Sequence, residues 1–438
     1  MYHKFINSVI TLYEKEGNTL NKLMQEKKYR YVILALLFVG WCLGNLDRFA
    51  INYAIVAIGQ DMGFSASSQG IILSSFFLGY ALMQIPGGKL ADRFGYRKVI
   101  LIAVFSWSVF TFFTGSAWSL LSLVVFRFLF GIGEGSFYPS GSKAIAVNFP
   151  VTQRARAMSI MLSAAKFMGI ITPVLAGIAL VTIGWRSFFY ITGAVGILVT
   201  VLMFFFLKEP GQTPSHNAPG AAAAPKPKAS LKTIIRMPMI WNLFICNFCI
   251  YAINWGLKSW MPTYMVQVRG LEIVEMGMIA TIPAIVGIVS MLVSGYIIDR
   301  IPAGKDRLFA FVFAILVAIF LYFMSTASSV ALFITHVSIV TVLAGYIAML
   351  VMTKPLKTLP TSIIATANGF INTGAQLAGF ITPMLIGFIV DASGGSFTIA
   401  FGTLVIFAVI CAITLLFTKT NTSSKLEEAN IPTPTTTM

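Results

Sequence analysis

"ARAMSIMLSAAKFMGIITPVLAG" at residues 155–177 and "ATANGFINTGAQLAGFITPMLIG" at residues 365–387 read as two copies of one segment. They share Ala155/Ala365, Ala157/Ala367, Ala165/Ala375, Gly169/Gly379, Leu175/Leu385 and Gly177/Gly387, and both carry Ile-Thr-Pro, all at one constant offset. Two apolar helices converge easily on scattered Ala and Gly. They do not converge easily on Ile-Thr-Pro in the same register. The chain therefore repeats itself, and each half must carry the same set of helices. A second pair agrees: "GKLADRFGYRK" (88–98) and "GYIIDRIPAGKDR" (295–307) each place Asp-Arg after Gly and three residues, with basic residues a few positions on.

Composition says what kind of helices these are. Of 438 residues, 57% are hydrophobic and 11% charged, and the mean hydropathy is +0.84. A soluble domain has roughly 25% charged residues. The chain is a polytopic, all-α membrane protein. Runs long enough to span a bilayer, which takes about 20 residues, fall near 31–54, 68–91, 98–117, 119–146, 156–181, 186–207, 239–265, 274–298, 307–326, 328–352, 361–390 and 396–418. Pro, Ala and Lys dominate "KEPGQTPSHNAPGAAAAPKPKASLK" between the sixth and seventh runs, the composition of a flexible linker. The expected organisation is an N-terminal segment 1–30, a six-helix bundle 31–207, a linker 208–238, a second bundle 239–418 and a tail 419–438. Two parallel six-helix repeats imply a pseudo-twofold along the membrane normal, with a site between the halves at mid-depth.

The net charge of +16 is topology, not nucleic-acid binding. Lys and Arg gather in the N-terminal segment, the 2–3, 4–5, 8–9 and 10–11 loops, the linker and the tail, which share one side if there are twelve spans. The opposite loops carry only Arg186 and Arg269. The positive-inside rule then puts both termini in the cytoplasm.

Charges inside the spans need another explanation, since each costs at least ~2.5–3.5 kcal/mol on insertion scales. "GNLDRFAINYA" (44–54) places Asp47 and Arg48 side by side on the first helix. The fourth carries Arg127 and, two turns or ~10 Å further along the same face, Glu134. Lys166 and Lys258 lie on the fifth and seventh. Asp47, Arg48, Arg127 and Glu134 are expected to line one cavity. Arg48 and Arg127 would take a substrate carboxylate in their planar forks. Asp47 and Glu134 would carry the coupled proton, because protonation frees an arginine. An ion-pair cluster that only locks helices together is the plainer alternative, although buried pairs are poor sources of net stability. Lys166 joins the substrate-binding set. Lys258 reads equally as a residue near the outer end that snorkels.

Uncharged polar residues complete the expected site: Tyr80 in the first half, Asn254 on the seventh helix, and Asn368, Asn372 and Gln376 on the eleventh. The last three recur every four residues and so share a face. Amides in a row suit a hydroxyl-rich ligand, and interhelical hydrogen bonding is their other use. The "CNFC" at 246–249 has no second ligand pair and reads as small buried residues. No metal-ligand cluster, nucleotide loop or nucleophile motif appears, so neither a cofactor nor an enzyme is expected.

"GGKLADRFGYRK" resembles the loop signature of the major facilitator superfamily, and 295–307 stands where that family has its degenerate copy. "LDRFAINYA" (46–54) and "RFLFGIGEGSFYPSG" (127–141) are similar to the anion:cation symporter branch, which holds bacterial importers of hexuronates, glucarate and galactonate, sialin and the vesicular glutamate transporters. The resemblance implies proton-coupled symport of an organic anion, such as a hexuronate, aldonate or aldarate, by a monomer in a bacterial cell membrane. Its partners would be the anion, protons and lipid. It also implies a gate made by Gly88, Asp92, Arg93 and Arg97, with Asp299 and Arg300 in the repeat, and Asp92 pairing across the bundle in the outward-open state. An organic-anion antiporter or exporter is the runner-up. A multidrug:proton antiporter fits less well, because the membrane charges here are net basic.

Overall fold

The computed structural model describes residues 2–208, 237–300, 305–359 and 361–417. The helices of the first half are α1 (Tyr2–Met62), α2 (Ala66–Phe94), α3 (Tyr96–Gly115), α4 (Leu120–Gly135), α5 (Phe137–Asn148), α6 (Val151–Thr182) and α7 (Gly184–Phe206). The second half contains α8 (Pro238–Gln267), α9 (Ile273–Arg300), α10 (Asp306–Ser325), α11 (Val330–Thr358), α12 (Thr361–Ala392) and α13 (Phe397–Leu416). Among the described residues, twelve stretches are long and apolar enough to cross a membrane, with α4 and α5 together forming the fourth. Two differences from the sequence reading stand out. First, the segment expected over 1–30 is helical from Tyr2 and continues without a break into the first span as α1. Second, the fourth span breaks at Ser136. Pro139 has no N–H for the Gly135 carbonyl four residues back, and its ring crowds that carbonyl. The linker and tail expected from composition fall mostly outside the described residues.

Hydroxyl caps start several helices where the loops end. Ser65, Ser119, Ser329 and Ser396 accept the N–H of Ser68, Ser122, Leu332 and Ile399, and Ser119 forms a reciprocal capping box with Ser122. Gly95, in the middle of "DRFGYRK", has φ of 88°. That left-handed backbone lets α2 turn straight into α3, which explains a glycine at this point.

Within the first half, α2 and α4 approach through glycine. A Cβ on Gly79 would stand 2.1 Å from the Phe128 carbonyl oxygen, and one on Gly131 would stand 2.2 Å from that of Phe76. Small residues are how membrane helices gain close contact without a hydrophobic drive. The approach brings Phe76 and Tyr80 of α2 against the charged positions of α1 and α4.

The two halves meet through α2–α12, α6–α9 and α1–α8. The repeated segment makes two of these seams. Pro173 of the first Ile-Thr-Pro presents its carbonyl to Gly277 of α9, and Pro383 of the second presents its own to Gly70 of α2. Gly177 faces the backbone of Ile273, and its repeat Gly387 faces Ala66. The residues that betray the duplication are therefore those at which the halves touch. All these contacts lie toward one end, that of the α1–α2 and α8–α9 connections. Hydrogen bonds join the halves there: the Met384 N–H donates to Ser74 Oγ at 3.1 Å, and Asp391 accepts the Ala66 and Ser67 N–H groups at 3.0 and 2.8 Å.

Candidate functional site

Two ion pairs cross between α1 and α4, and they differ in access. Arg127 Nη1 lies 3.0 Å from Asp47 Oδ1, with both residues only 1% exposed. Thr111 of α3 donates to the other Asp47 oxygen at 2.6 Å. The Arg127 guanidinium also sits over the Phe130 ring, 4.5 Å from its centroid. This pair is sealed inside the first half. The expectation that Arg127 and Asp47 line the cavity does not match the geometry: Asp47 and Thr111 turn toward Arg127, away from the space between the halves.

The second pair faces that space. Arg48 Nη2 lies 3.1 Å from Glu134 Oε1, the arginine side chain 13% exposed and the glutamate fully buried. The guanidinium lies against two neighbouring rings of α2, 4.6 Å from the Phe76 centroid and 4.5 Å from that of Tyr80, the rings being 5.6 Å apart. Cation–π contacts of this kind are strongest in dry surroundings. Glu134 packs on Gly44, where a Cβ would come within 3.4 Å of its carboxyl. Neither Glu134 oxygen has a well-aligned hydrogen bond among the described residues, so Arg48 holds it by charge.

Lys166 of α6 and Lys258 of α8 are both exposed, although each lies deep in its span. Lys258 does not snorkel. Its Nζ stands 5.3 Å from the Trp255 centroid and 5.8 Å from that of Phe49, and it lies within electrostatic reach of Lys166 and Arg48. Arg48, Tyr80, Glu134, Lys166, Asn254 and Gln376 all come out about 20 Å along their helices from the closed end, at 1.5 Å per residue. Asn254, Asn368, Asn372 and Gln376 are half-buried on the second half. Asn368 keeps its amide oxygen buried without a partner among the described residues. Above this level Phe77 of α2 meets Trp255 of α8 edge-on at 4.6 Å and packs on Gly379. That aromatic contact roofs the site on the closed side, and no sequence pattern singled out Phe77.

The residues of the loop signature lie at the opposite end. Asp92 pairs at 3.1 Å with Lys143 of α5, in its own half. Arg97 donates to the carbonyls of Leu207 and, at 2.7 Å, Phe204, which ties α3 to the end of α7. Arg93 stacks near Phe94 and Arg300 near Tyr296. A Cβ on Gly88 would meet Pro139 at 3.6 Å, an ordinary contact distance. The side chain of Asp299 is outside what is described. At the closed end, Arg186 pairs with Asp61, and Arg269 caps the carbonyls of Ala327 and Ser328.

Comparison with known proteins gives this arrangement its context. The profile of the Major Facilitator Superfamily matches residues 37–383. The chain is 30% identical to a probable sulfoacetate transporter of Cupriavidus necator, over 85% of this chain and 90% of that one. It is 29% identical to a probable galactarate/D-glucarate transporter of Escherichia coli K12, covering 83% and 88%. With a hexuronate transporter of Bacillus subtilis the identity is 30%, covering 88% and 94%. Among solved structures, a bacterial homolog to the human lysosomal transporter Spinster, described as inward-facing and unoccupied, matches with a TM-score of 0.76. At 21% identity over 92% of this chain and 98% of that one, it shows the fold. The chain belongs to the major facilitator superfamily, in the hexuronate-type anion:cation symporter branch, and is a transporter rather than an enzyme.

Proposed function

We propose that the protein is a proton-coupled symporter of a small organic acid, working by alternating access in a bacterial cell membrane with both termini in the cytoplasm. The observation that carries this reading is the Arg48–Glu134 pair: a fully buried carboxylate held by one arginine that borders the central space. A substrate carboxylate that draws Arg48 to itself leaves Glu134 buried and unpaired. A buried carboxylate without a partner is costly, by several kcal/mol, so substrate binding favours a proton on Glu134. Proton and anion then travel together. Asp47 plays the supporting part of holding Arg127, and its own protonation would loosen α1 from α4. Tyr80, Lys166, Asn254, Asn368, Asn372 and Gln376 complete the binding surface. The relatives' names point to sugar acids and a sulfonated acid as the chemical class.

With the basic loops in the cytoplasm, the closed end faces outward and the opening faces inward. Gly88, Asp92, Arg93, Arg97, Asp299 and Arg300 then surround the inner gate in its open state. The test is counterflow beside pH-driven uptake in proteoliposomes, with galactarate, glucarate, galacturonate and sulfoacetate as substrates. Glu134→Gln should keep counterflow and lose accumulation driven by a proton gradient. Full accumulation in Glu134→Gln, in Asp47→Asn and in the double variant would remove proton coupling and leave an anion exchanger or uniporter.

A further inference from the structure

The central space holds more positive charge than one carboxylate needs. Arg48, Lys166 and Lys258 border it, and Glu134 is the one acidic side chain within ion-pair distance of any of them among the described residues. Asp47 and Arg127 cancel each other out of reach, sealed with Thr111. Three cations against one carboxylate leave an excess of two positive charges. Lys166 and Lys258 are exposed in the open space, on opposite halves, and neither has a carboxylate partner among the described residues. Like charges brought together at mid-membrane depth repel, and structure alone gives no reason to keep them. A packing role would have placed the ammonium groups at a helix end or against a carboxylate.

We infer that the substrate is a dianion with an acidic group at each end, and that Lys166 and Lys258 form a second anion subsite opposite Arg48. This rests on the anion-transport reading above and narrows it. One acidic group takes Arg48 from Glu134 beside the Phe76 and Tyr80 rings. The other lies between Lys166 of the first half and Lys258 of the second, so the ligand itself bridges the two halves. Bridging has a kinetic meaning. A monoanion of the same length satisfies Arg48 but leaves the two lysines to repel each other as the halves close around it. The dianion removes that repulsion, so discrimination arises from the second acidic group and not from the carbon chain. Asn254 and Gln376, at the same depth, face the middle of such a ligand, where hydroxyl groups would need donors and acceptors.

The experiment compares ligands matched in all but one end. Galactarate and galactonate share a six-carbon polyol chain, and differ by a carboxylate against a hydroxymethyl group. Sulfoacetate and 2-hydroxyethanesulfonate differ in the same sense. Counterflow in proteoliposomes, which needs no proton gradient, is measured for both pairs with the wild-type protein, Lys166→Gln, Lys258→Gln and the double variant. In at least one pair the dianion should exchange with a half-saturating concentration about tenfold or more below its monoanion, the size expected of one charge-assisted contact. The double variant should lose that preference, the dianion losing more exchange than the monoanion, with an unchanged thermal unfolding midpoint in detergent as the measure of folding. Equal or better exchange of the monoanion by the wild-type protein in every pair that is exchanged would overturn the inference and leave organic-anion transport standing. So would an equal loss for both ligands in the double variant. If no member of either pair is exchanged or raises the thermal stability of the wild-type protein, the organic-acid reading itself fails.

Discussion

Removing the Asp391 carboxylate should open the closed end. Asp391 stands at the end of α12 and reaches across the seam to the first turn of α2, where Ala66 and Ser67 donate to its two oxygens at 3.0 and 2.8 Å. First-turn N–H groups have no partner within their own helix, so this carboxylate satisfies donors that only the opposite half supplies. A carboxylate at a helix N-terminus is worth about 0.3–1 kcal/mol, and hydrogen bonds to charged groups about 1.5–3 kcal/mol each. Asp391 is exposed, and water competes for all of this, so we take about 1–2 kcal/mol for the contact as a whole. Asp391→Ala should therefore raise the ratio of open to closed states of this end about 5- to 30-fold. Ser74 offers a reporter that does not touch Asp391: it is 0% exposed and accepts from Met384 across the same seam. A cysteine placed there by Ser74→Cys should react with a membrane-impermeant maleimide at a rate proportional to the open population. That rate should rise about 5- to 30-fold with Asp391→Ala, and less with Asp391→Asn, which keeps one acceptor. Labelling at Gln60, already exposed on α1, should not change. An unchanged rate at Ser74 would refute the idea that this contact helps to hold the halves together.

Other substitutions separate the two ion pairs and test the packing beneath them. Arg127→Ala leaves Asp47 buried with only Thr111 for a partner, so it should destabilise the protein by about 3–5 kcal/mol, read as a lower thermal unfolding midpoint in detergent. Arg48→Ala, at the more open pair, should lose substrate-induced stabilisation at a smaller cost to folding; binding with unchanged affinity would remove Arg48 from the site. Gly131→Ala puts a methyl into the Phe76 carbonyl and should cost about 1–3 kcal/mol, seen as reduced folded yield, whereas Gly169→Ala, with open space around it, should be tolerated.

The fold was largely legible because a membrane restricts the menu. Length, hydropathy and one repeated tripeptide are enough to count helices and relate the halves, and the Ile-Thr-Pro copies proved to sit at the seams themselves. The break at Ser136 had its signal in Pro139, but an apolar run long enough to span hides a kink within it. The site was legible in membership more than in pairing. Two acids and two arginines on α1 and α4 allow either partition, and spacing along a helix does not choose. The choice comes from Thr111, on a third helix, which draws Asp47 aside. Lys258 could not be placed from sequence because its direction depends on Phe49 and Trp255, residues from opposite halves. Asp391 carries no signal of its role in the sequence, since its partners are backbone N–H groups that any sequence would supply.

The contrast between the sealed pair and the open one has an electrical consequence. Asp47 and Arg127 move as a unit with no net charge, so the transmembrane potential does no work on them. The excess positive charge of Arg48, Lys166 and Lys258 over Glu134 is different, because under the alternating access proposed above its water access would switch from one side to the other. A full charge carried across the field is worth about 2.3 kcal/mol per 100 mV. With an interior-negative potential the empty carrier would thus rest with its basic chamber facing the cytoplasm, and its return would be the step that voltage slows. A bound dianion with the proton on Glu134 lowers the chamber's excess from two positive charges to one, so voltage would act less on the loaded carrier than on the empty one. Charge movement recorded on a supported membrane would then report the return of the unoccupied protein more strongly than passage of the cargo.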